Sequence, residues 1–528
     1  MALDLQQRHQ LDTVSVSGMD VSRVFTSHAL YGDNIRVPSS FHILPDFRPM
    51  SAQARADALH GIAPYTAGGH RFDPLLGPHT NETLWLTPWA QSLDFLRDIR
   101  AASIGGTDLS RAWINGWLSA KLRHSEKSKT LFSQNLGVSS KTDRLIWRSR
   151  RVLNCLSHVL PVLTTMPSTT RSLFWQTLLD DIAKIGAPTD TVWSSLTDGF
   201  HPLSPRAIWL RAIALLGVEA ALPGLLQSDL VEKSLVQINA SIQNDGLING
   251  GSIVGTLSAG ADLCMLGRIP QVEPILHVVR NALASLRHRD GTLVTFGVGA
   301  ADYAHLLDAV LGPGNSKPSV LLVGSGITRA SVDNSVIWLR APQNDQAWGP
   351  LCEIDVAGGS LLTNFGDANS GVLFHGPIAE IQARSRRRDE PDFILLEATG
   401  ALCVQGKTYS FLRHIKTSLD GSRIEGEDFI TSESDVLDGA IKQISFAIPE
   451  TSACHFSNDK QSVLIVTSKQ QAWRFRIQGM DIPIEIASVT PQRNAPLVER
   501  FVIICRRSDA PNRSDFRATW QLVLEDLE

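Results

Sequence analysis

The hydrophobic period of the chain changes at the Pro- and Gly-rich stretch "LGPGNSKPS", residues 311–319. Before it, from about residue 85, apolar residues recur at steps of three and four, which is typical of amphipathic helices. In "VEPILHVVRNALASLRHRDG" these residues are Val272, Ile275, Leu276, Val279, Leu283 and Leu286. After it, short runs such as "SVIWLRA", "DFILLEATG" and "SVLIVTS" have a period of two, which is typical of strands. The sequence therefore predicts an α+β multidomain protein.

The two periods divide the chain into four segments. Residues 1–84, with scattered Pro and Gly, are predicted to be an irregular lead-in, and residues 85–310 a helical domain. Residues 311–319 are predicted to be a linker, and residues 320–528 an antiparallel β-sandwich domain. A chain of 528 residues is long enough for two or three domains of roughly 100–200 residues each.

A long hairpin is predicted in the β part, at residues 411–430, "FLRHIKTSLDGSRIEGEDFI". Phe411 and Ile415 fall on one side of the first strand, and His414 and Lys416 fall on the other. Asp420-Gly421 is a pair that favours a two-residue type I′ turn. A second extended run follows, so the segment is predicted to fold back on itself.

Composition excludes several classes of protein. The formal net charge is −4, from 49 Lys+Arg and 53 Asp+Glu, whereas a dedicated nucleic-acid binder is normally basic. No apolar run reaches the roughly 18 residues of a membrane span. The start "MALDLQQRHQ" lacks the basic and apolar parts of a secretory signal, which predicts a cytoplasmic protein. The six cysteines form no CxxC pair and are interpreted as small buried hydrophobic residues.

Several stretches resemble the heparinase II/III-like polysaccharide lyases of bacteria. They are "DFLRDIRA" (94–101), "RHRDGTLVTF" (287–296), "EIDVAGGSLLTNFG" (353–366), the hairpin ending in "GED", and "AWRFRI" (472–477). The resemblance spans most of residues 85–528. It implies an N-terminal incomplete α/α toroid followed by a C-terminal antiparallel β-sandwich, a location in the cell envelope or periplasm, and an acidic polysaccharide or oligosaccharide as the partner.

Lyase chemistry on a uronate polymer removes the proton α to a carboxylate and expels the O4 leaving group. The site therefore needs groups that transfer protons and a group that neutralises the carboxylate. Tyr303 in "GVGAADYAHLL" and His288 in "RHRDG" are the candidates for proton transfer, and Asn249 in "DGLINGGSIVG" is the candidate neutraliser. Each also has a structural interpretation: Tyr303 as part of a helix core, His288 as a surface residue at a helix C-terminus, and Asn249 as a turn residue.

Substrate-binding residues are expected in "RSRRRDE" and beside Tyr303. The candidates are Arg384, Arg386, Arg387, Arg388 and His305, because guanidinium groups bind sulfates and carboxylates in bidentate fashion. The alternative is that the arginine run is a solvated loop, partly neutralised by neighbouring acidic residues.

The chain departs from the resembling family at its histidines. Ser252 stands in the "NGGSIV" loop, Val356-Ala357-Gly358 replaces a His-Ala-Gly step, and Asp389 lies near another histidine position. No metal site and no cofactor are therefore predicted. Two functions remain: β-elimination on an acidic, uronate-containing polysaccharide, or glycan binding by a non-catalytic descendant that keeps the lyase fold.

Overall fold

The structure is a computed structural model of the 528-residue chain, and it divides into two compact units. Unit 1 is Met1–Ser241 with Gly260–Leu276, and unit 2 is Ile242–Ala259 with His277–Glu528. The residues that the structure describes are 13–15, 20–31, 34–36, 41–46, 65–67, 70–72, 92–93, 96–97, 108, 110–119, 141–187, 204–248, 252–294, 296, 303–312, 321–343, 346–357, 359–364, 369–432, 440–458, 461–478, 484–489, 500–506 and 515–525.

Helices dominate the described part of the chain between residues 110 and 312. They are α1 (Lys141–Asn154), α2 (Leu160–Leu163), α3 (Ser168–Gly186), α4 (Pro205–Ala221), α5 (Ser228–Ser241), α6 (Ile253–Met265), α7 (Glu273–Ser285) and α8 (Ala304–Leu311), together with a π-helical turn at Cys155–Val159 and helical residues 110–119. The helical period predicted for this part of the sequence is confirmed. None of the described helices is long and apolar enough to cross a membrane.

Helix α4 shows how the sequence sets these elements in unit 1. Ser204 is its N-cap, with Oγ accepting from the backbone N–H of Ala207 at 3.3 Å, and Pro205 occupies the first helical position. The helix is apolar nearly all round, so most of its residues are buried. Its neighbours α1 and α3 are joined by a buried bidentate pair, in which Nε and Nη2 of Arg151 each lie 2.7 Å from an oxygen of Asp181.

Short strands precede the helices, and long strands follow them. The early ones are β1 (Thr13–Ser15), β2 (Leu30–Tyr31), β3 (Asn34–Arg36), β4 (Tyr65–Ala67) and β5 (His70–Phe72). Those of unit 2 are β6 (Leu321–Leu322), β7 (Ile327–Ser331), β8 (Ser335–Arg340), β9 (Leu351–Val356), β10 (Gly359–Leu362), β11 (Gly371–Phe374), β12 (Ile378–Asp389), β13 (Phe393–Val404), β14 (Lys407–Ser418), β15 (Arg423–Ser432), β16 (Ile441–Ala447), β17 (Ala453–Phe456), β18 (Ser462–Val466), β19 (Ala472–Gln478), β20 (Glu485–Val489), β21 (Arg500–Arg506) and β22 (Asp515–Glu525).

Three antiparallel sheets build unit 2 among the described residues. Their strand orders are β10-β9-β8-β7-β6, β11-β16-β21-β20 and β12-β13-β14-β15-β22-β19-β18-β17. Ile337 of the first sheet, Phe446 of the second and Trp520 of the third belong to one continuous apolar core. Alternate residues of the long strands β13, β14 and β15 contribute to that core, which is the period of two that the sequence predicts.

The predicted hairpin is confirmed as β14 and β15, with Leu412 opposite Phe429 in the antiparallel register. Its turn differs from the expected type I′, which needs two residues with positive φ. In the loop between the strands only Gly421 has positive φ, at +70°, and its N–H donates to the carbonyl of Ser418 at 2.9 Å. The turn is therefore closed one residue earlier than predicted, and Gly421 lies at its end.

The tip of this hairpin is fixed within unit 2. Asn334 Nδ2 donates to the carbonyl of Asp420 at 2.8 Å. A Cβ on Gly421 would lie within 2.9 Å of both the backbone nitrogen and Oγ of Ser335. Glycine is needed there for this close approach as well as for its φ.

Most of the predicted linker, residues 311–319, lies outside the described residues, which stop at 312 and resume at 321. The division into 1–84, 85–310, 311–319 and 320–528 stays a prediction.

Candidate functional site

The "RHRDG" segment forms a tight turn directly after α7. The backbone N–H of His288 donates to the carbonyl of Thr292 at 2.8 Å, and that of Gly291, with φ +93°, donates back to the carbonyl of His288 at 3.1 Å. Asp290 Oδ1 accepts from the N–H of Thr292 at 2.9 Å. This turn holds the His288 ring in a fixed, inward position.

His288 lies between two carboxylates of β9. Nε2 is 2.9 Å from Oε2 of Glu353, and Nδ1 is 2.8 Å from Oδ1 of Asp355. The contact with Asp355 is an ion pair whose geometry is not well aligned for a hydrogen bond. The two acids are at positions i and i+2 of the strand, so both side chains point to one face. The three side chains are between 2% and 5% exposed. We call them the His288 triad.

The carboxylates of the triad have further donors. Glu353 Oε1 accepts from the N–H of Phe296 at 2.7 Å, and Asp355 Oδ2 accepts from the N–H of Arg289 at 2.8 Å. Trp338 packs edge-on against the His288 ring, with centroids 4.9 Å apart. The triad therefore ties the segment after α7 to the sheet that contains β8 and β9.

Within the triad, His288 is held as a buried cation between the two carboxylates. Burial by itself lowers the pKa of His288, but the close contacts and negative charges of Asp355 and Glu353 outweigh it and raise the pKa to about 10. Burial raises the pKa of Asp355, but His288, Ser360 and the Arg289 N–H outweigh it, and the net pKa is lowered. With both ring nitrogens facing carboxylates, the geometry suits a buried imidazolium better than an exchangeable general base.

The sequence analysis did not predict the partners of His288. The two acidic residues of the triad lie 65 and 67 positions after the histidine, and no local sequence pattern connects residues so far apart. The available signal was the segment "EID" inside a strand whose six residues are all buried. Two acids on a fully buried strand need cationic or donor partners, since unpaired buried charges are costly.

Tyr303 is half-buried and directly precedes α8, where its carbonyl accepts from the N–H of Leu307 at 2.8 Å. Its phenol makes no hydrogen bond to a described residue. Helix α8 is tied to the RHRDG turn, because Arg287 Nη2 donates to Oδ1 of Asp308 at 2.6 Å. His305 is exposed on α8.

Asn249 lies outside the described residues, and the residues on either side of 249–251 make hydrogen bonds. The N–H of Ile248 donates to Oγ1 of Thr256 at 2.9 Å, and Thr256 Oγ1 donates to the carbonyl of Ser252 at 2.8 Å. Before them, Asp245 Oδ2 accepts from the N–H of Ser325 at 2.9 Å.

The arginine run lies on the edge strand β12 and not in a solvated loop. The period of two separates its members: Arg384, Arg386 and Arg388 are exposed, whereas Arg387 is half-buried on the other face. Arg387 Nη1 donates to the carbonyl of Arg329 at 2.9 Å, and its Nε donates to Oδ1 of Asp389 at 2.7 Å. The four arginines that were predicted to form one clamp therefore lie on two faces of β12, three on one face and Arg387 on the other.

Metal ligands are not clustered in the described part of the chain, where no group of three or more His, Cys, Asp or Glu side chains is arranged to hold an ion. His375 is exposed. The predicted lack of a metal site stays a prediction.

Comparison with solved structures identifies the fold. Similar structures include heparinase III, with a TM-score of 0.59, 12% identity, and 91% of this chain and 86% of that chain covered. A second is a heparinase III with methylated lysines, with a TM-score of 0.58, 12% identity, and coverage of 91% and 85%. A third is a mutant of the heparan sulfate lyase HepC from Pedobacter heparinus, with a TM-score of 0.56, 13% identity, and coverage of 92% and 85%. No protein-family model matches the sequence, and no curated protein matches it.

The chain therefore has the heparinase III-like polysaccharide lyase fold. The predicted fold class, an α+β multidomain chain with an α/α toroid followed by an antiparallel β-sandwich, is confirmed.

Proposed function

We propose that this chain, with the fold of heparinase III, acts by β-elimination on an acidic, uronate-containing polysaccharide. The observation that carries the proposal is the likeness over 91–92% of the chain to heparinase III and to a heparan sulfate lyase. Fold alone does not fix function, so the proposal also rests on the residues available for the chemistry. A role in turnover of envelope polysaccharide belongs to the same proposal.

The elimination needs a base for the proton α to the carboxylate and an acid for the leaving oxygen. Proton transfer is assigned to Tyr303, whose phenol is free of hydrogen bonds to described residues and whose helix is fixed through Asp308. Neutralisation of the substrate carboxylate is assigned to Asn249. His288 acts as a fixed cation that holds the RHRDG turn against β9, because both its nitrogens face carboxylates.

A second candidate function is glycan binding without catalysis. It is favoured by the environment of Asp389, which stands near a histidine position of the resembling family. Asp389 Oδ1 accepts from Arg387 Nε at 2.7 Å, so it is held as an ion-pair partner and does not replace a proton-transferring histidine.

The test is elimination on heparan sulfate, heparin and alginate, followed by ultraviolet absorbance of the unsaturated product. We expect slow turnover in the wild type and a further loss of about 10²- to 10⁴-fold in Tyr303→Phe, the usual contribution of a positioned acid or base. Tyr31→Phe, in strand β2 of unit 1, is the matched control and is expected to retain wild-type turnover.

Turnover that is unaffected by Tyr303→Phe contradicts the assignment of the proton-transfer group. A wild type that binds these polymers but forms no unsaturated ends supports the second candidate function instead.

A further inference from the structure

Three arginines form a straight row on one face of β12. Arg384, Arg386 and Arg388 occupy alternate positions of an edge strand, so neighbouring members are roughly 6.7 Å apart along it. The intervening Ser385 and Arg387 point the other way: Ser385 Oγ donates to the carbonyl of Gly326 at 2.8 Å. We call Arg384, Arg386 and Arg388 the arginine row.

The row is only partly neutralised. Its cross-strand neighbours on β13 are Thr399, Glu397 and Leu395, in that order. The middle arginine, Arg386, forms an ion pair with Glu397, a carboxylate that also contacts Nε2 of His414 at 2.7 Å.

The positive charges of the two outer arginines of the row are not neutralised by described residues. Within the described part of the chain, neither Arg384 nor Arg388 has an ion pair, and both are exposed. Lys416 of β14 lies opposite Leu395 on the same face, where it forms an ion pair with Glu425 of β15 at 3.7 Å. Over β12, β13 and β14 this face is therefore positive, although the whole chain has a net charge of −4.

Protection of the sheet edge is the plainest role for charges on an edge strand, because they discourage pairing with other chains. It does not explain three charges of one sign. Like charges this close repel each other, and alternating signs would protect the edge equally well. The row is better explained by a negatively charged partner.

We propose that the arginine row binds a sulfated or carboxylated polysaccharide chain laid along β12, separately from the elimination assigned to Tyr303. The inference rests on the proposed function for the class of polymer. Exposed guanidinium groups in a line match a linear polymer with repeating anionic groups, each of which accepts two parallel hydrogen bonds.

A polysaccharide fits this surface better than a nucleic acid does. The acidic residues Asp389, Glu390 and Asp392 follow the row directly, so the positive stretch is short. A nucleic acid needs many cationic contacts along its phosphates, and this short row does not supply them.

The experiment measures the affinity of the full chain for a fluorescent heparin oligosaccharide by anisotropy, at low and moderate salt. Arg384→Gln with Arg388→Gln removes the two unpaired charges and leaves the pair of Arg386 with Glu397 intact. Exposed ion pairs contribute about 1.4- to fivefold each, so the expected loss for two of them is roughly 2- to 25-fold, diminishing as salt screens the charges.

The matched control is Arg206→Gln with Arg268→Gln, which removes the same charge from two exposed sites elsewhere. It should leave the affinity near that of the wild type. Equal losses in the two double variants would mean that heparin responds only to net charge, and unchanged affinity in the row variant would mean that heparin binds elsewhere. Either result overturns the proposal, as does a row-dependent affinity for a DNA oligonucleotide in a protein that does not bind heparin.

Aggregation of the glutamine variant would point to the edge-protecting role. Arg384→Lys with Arg388→Lys then keeps the edge charged and removes the bidentate geometry. Weaker heparin binding by the lysine variant supports the proposal, and wild-type affinity overturns it. Tyr303→Phe separates the two proposals, since it should slow elimination about 10²- to 10⁴-fold without weakening heparin binding at the row. A chain that binds through the row without any elimination contradicts only the proposed function.

Discussion

The His288 triad should make the stability of this protein depend on pH in the alkaline range. The folded state holds the pKa of His288 at about 10, above its ordinary 6.5. A group whose pKa is raised on folding stabilises the fold fully below its unfolded pKa, and this contribution is lost as pH rises through the folded pKa. Asp355, whose pKa is lowered, behaves in the opposite way and loses its contribution in acid.

The magnitude follows from the shift. Each pKa unit corresponds to 1.36 kcal/mol, so a rise of this size gives about 5 kcal/mol below pH 6.5, about 4 kcal/mol at pH 7, and little at pH 10. That is a large share of the 5–15 kcal/mol by which domains are usually stable. The side chains concerned are at most 5% exposed, so solvent screening reduces the contribution little.

The perturbation that isolates the triad is His288→Gln, which keeps a polar side chain and removes the charge. The difference in free energy of unfolding between wild type and His288→Gln should be greatest near pH 6.5 and shrink by most of its value towards pH 10. Urea titrations followed by circular dichroism at pH 6.5, 8, 9 and 10 measure it. His305→Gln, an exposed histidine in the same unit, is the control, and its difference from the wild type should be small and flat.

A difference for His288→Gln that stays constant from pH 6.5 to 10 would refute this reasoning, because it would mean that the imidazole is neutral in the folded protein. Its packing against Trp338, with centroids 4.9 Å apart, would then be its main contribution.

Two further predictions concern the hairpin. Arg413→Met leaves Asp428 buried without its cation, which is 2.7 Å away, and should cost about 3–5 kcal/mol in denaturant unfolding; the exposed Arg423→Met should change little. Gly426→Ala would place a Cβ 2.0 Å from the ring of Trp520, so the same measurement should show a loss of about 1–3 kcal/mol or more in the free energy of unfolding. The control is Gly267→Ala, whose nearest neighbour would be at 3.5 Å, and it should show no loss.

Local patterns in the sequence were enough to predict the order of helices and strands and an α+β chain, whereas the α/α toroid was implied by the resemblance to lyases. The period of apolar residues follows from which face of an element is buried, and a few neighbours along the chain reveal it. The helices before residue 312, strands such as β8, β13 and β18, and the hairpin of β14 and β15 were therefore predicted correctly. The type of the hairpin turn was predicted wrongly, because the type of turn that joins two strands depends on the backbone angles of single residues.

Strand β12 could not be predicted from its local sequence. "RSRRRDE" has no apolar face of its own, so its sequence is as compatible with a solvated loop as with a strand. It is a strand because β13 is apolar on its core face and offers a full set of backbone partners. Only this pairing turns Arg387 away from the other three arginines.

The surroundings of His288 were decided by tertiary structure alone. Taken by itself, "RHRDG" predicts a surface histidine at the end of a helix, and the resemblance to lyases made it a candidate for proton transfer. Glu353 and Asp355 lie 65 and 67 residues further along the chain, and they reach the ring because β9 passes beside the turn. The charge of a side chain depends on its neighbours in space, and for buried groups these neighbours are set by the packing of distant elements and not by the adjoining sequence.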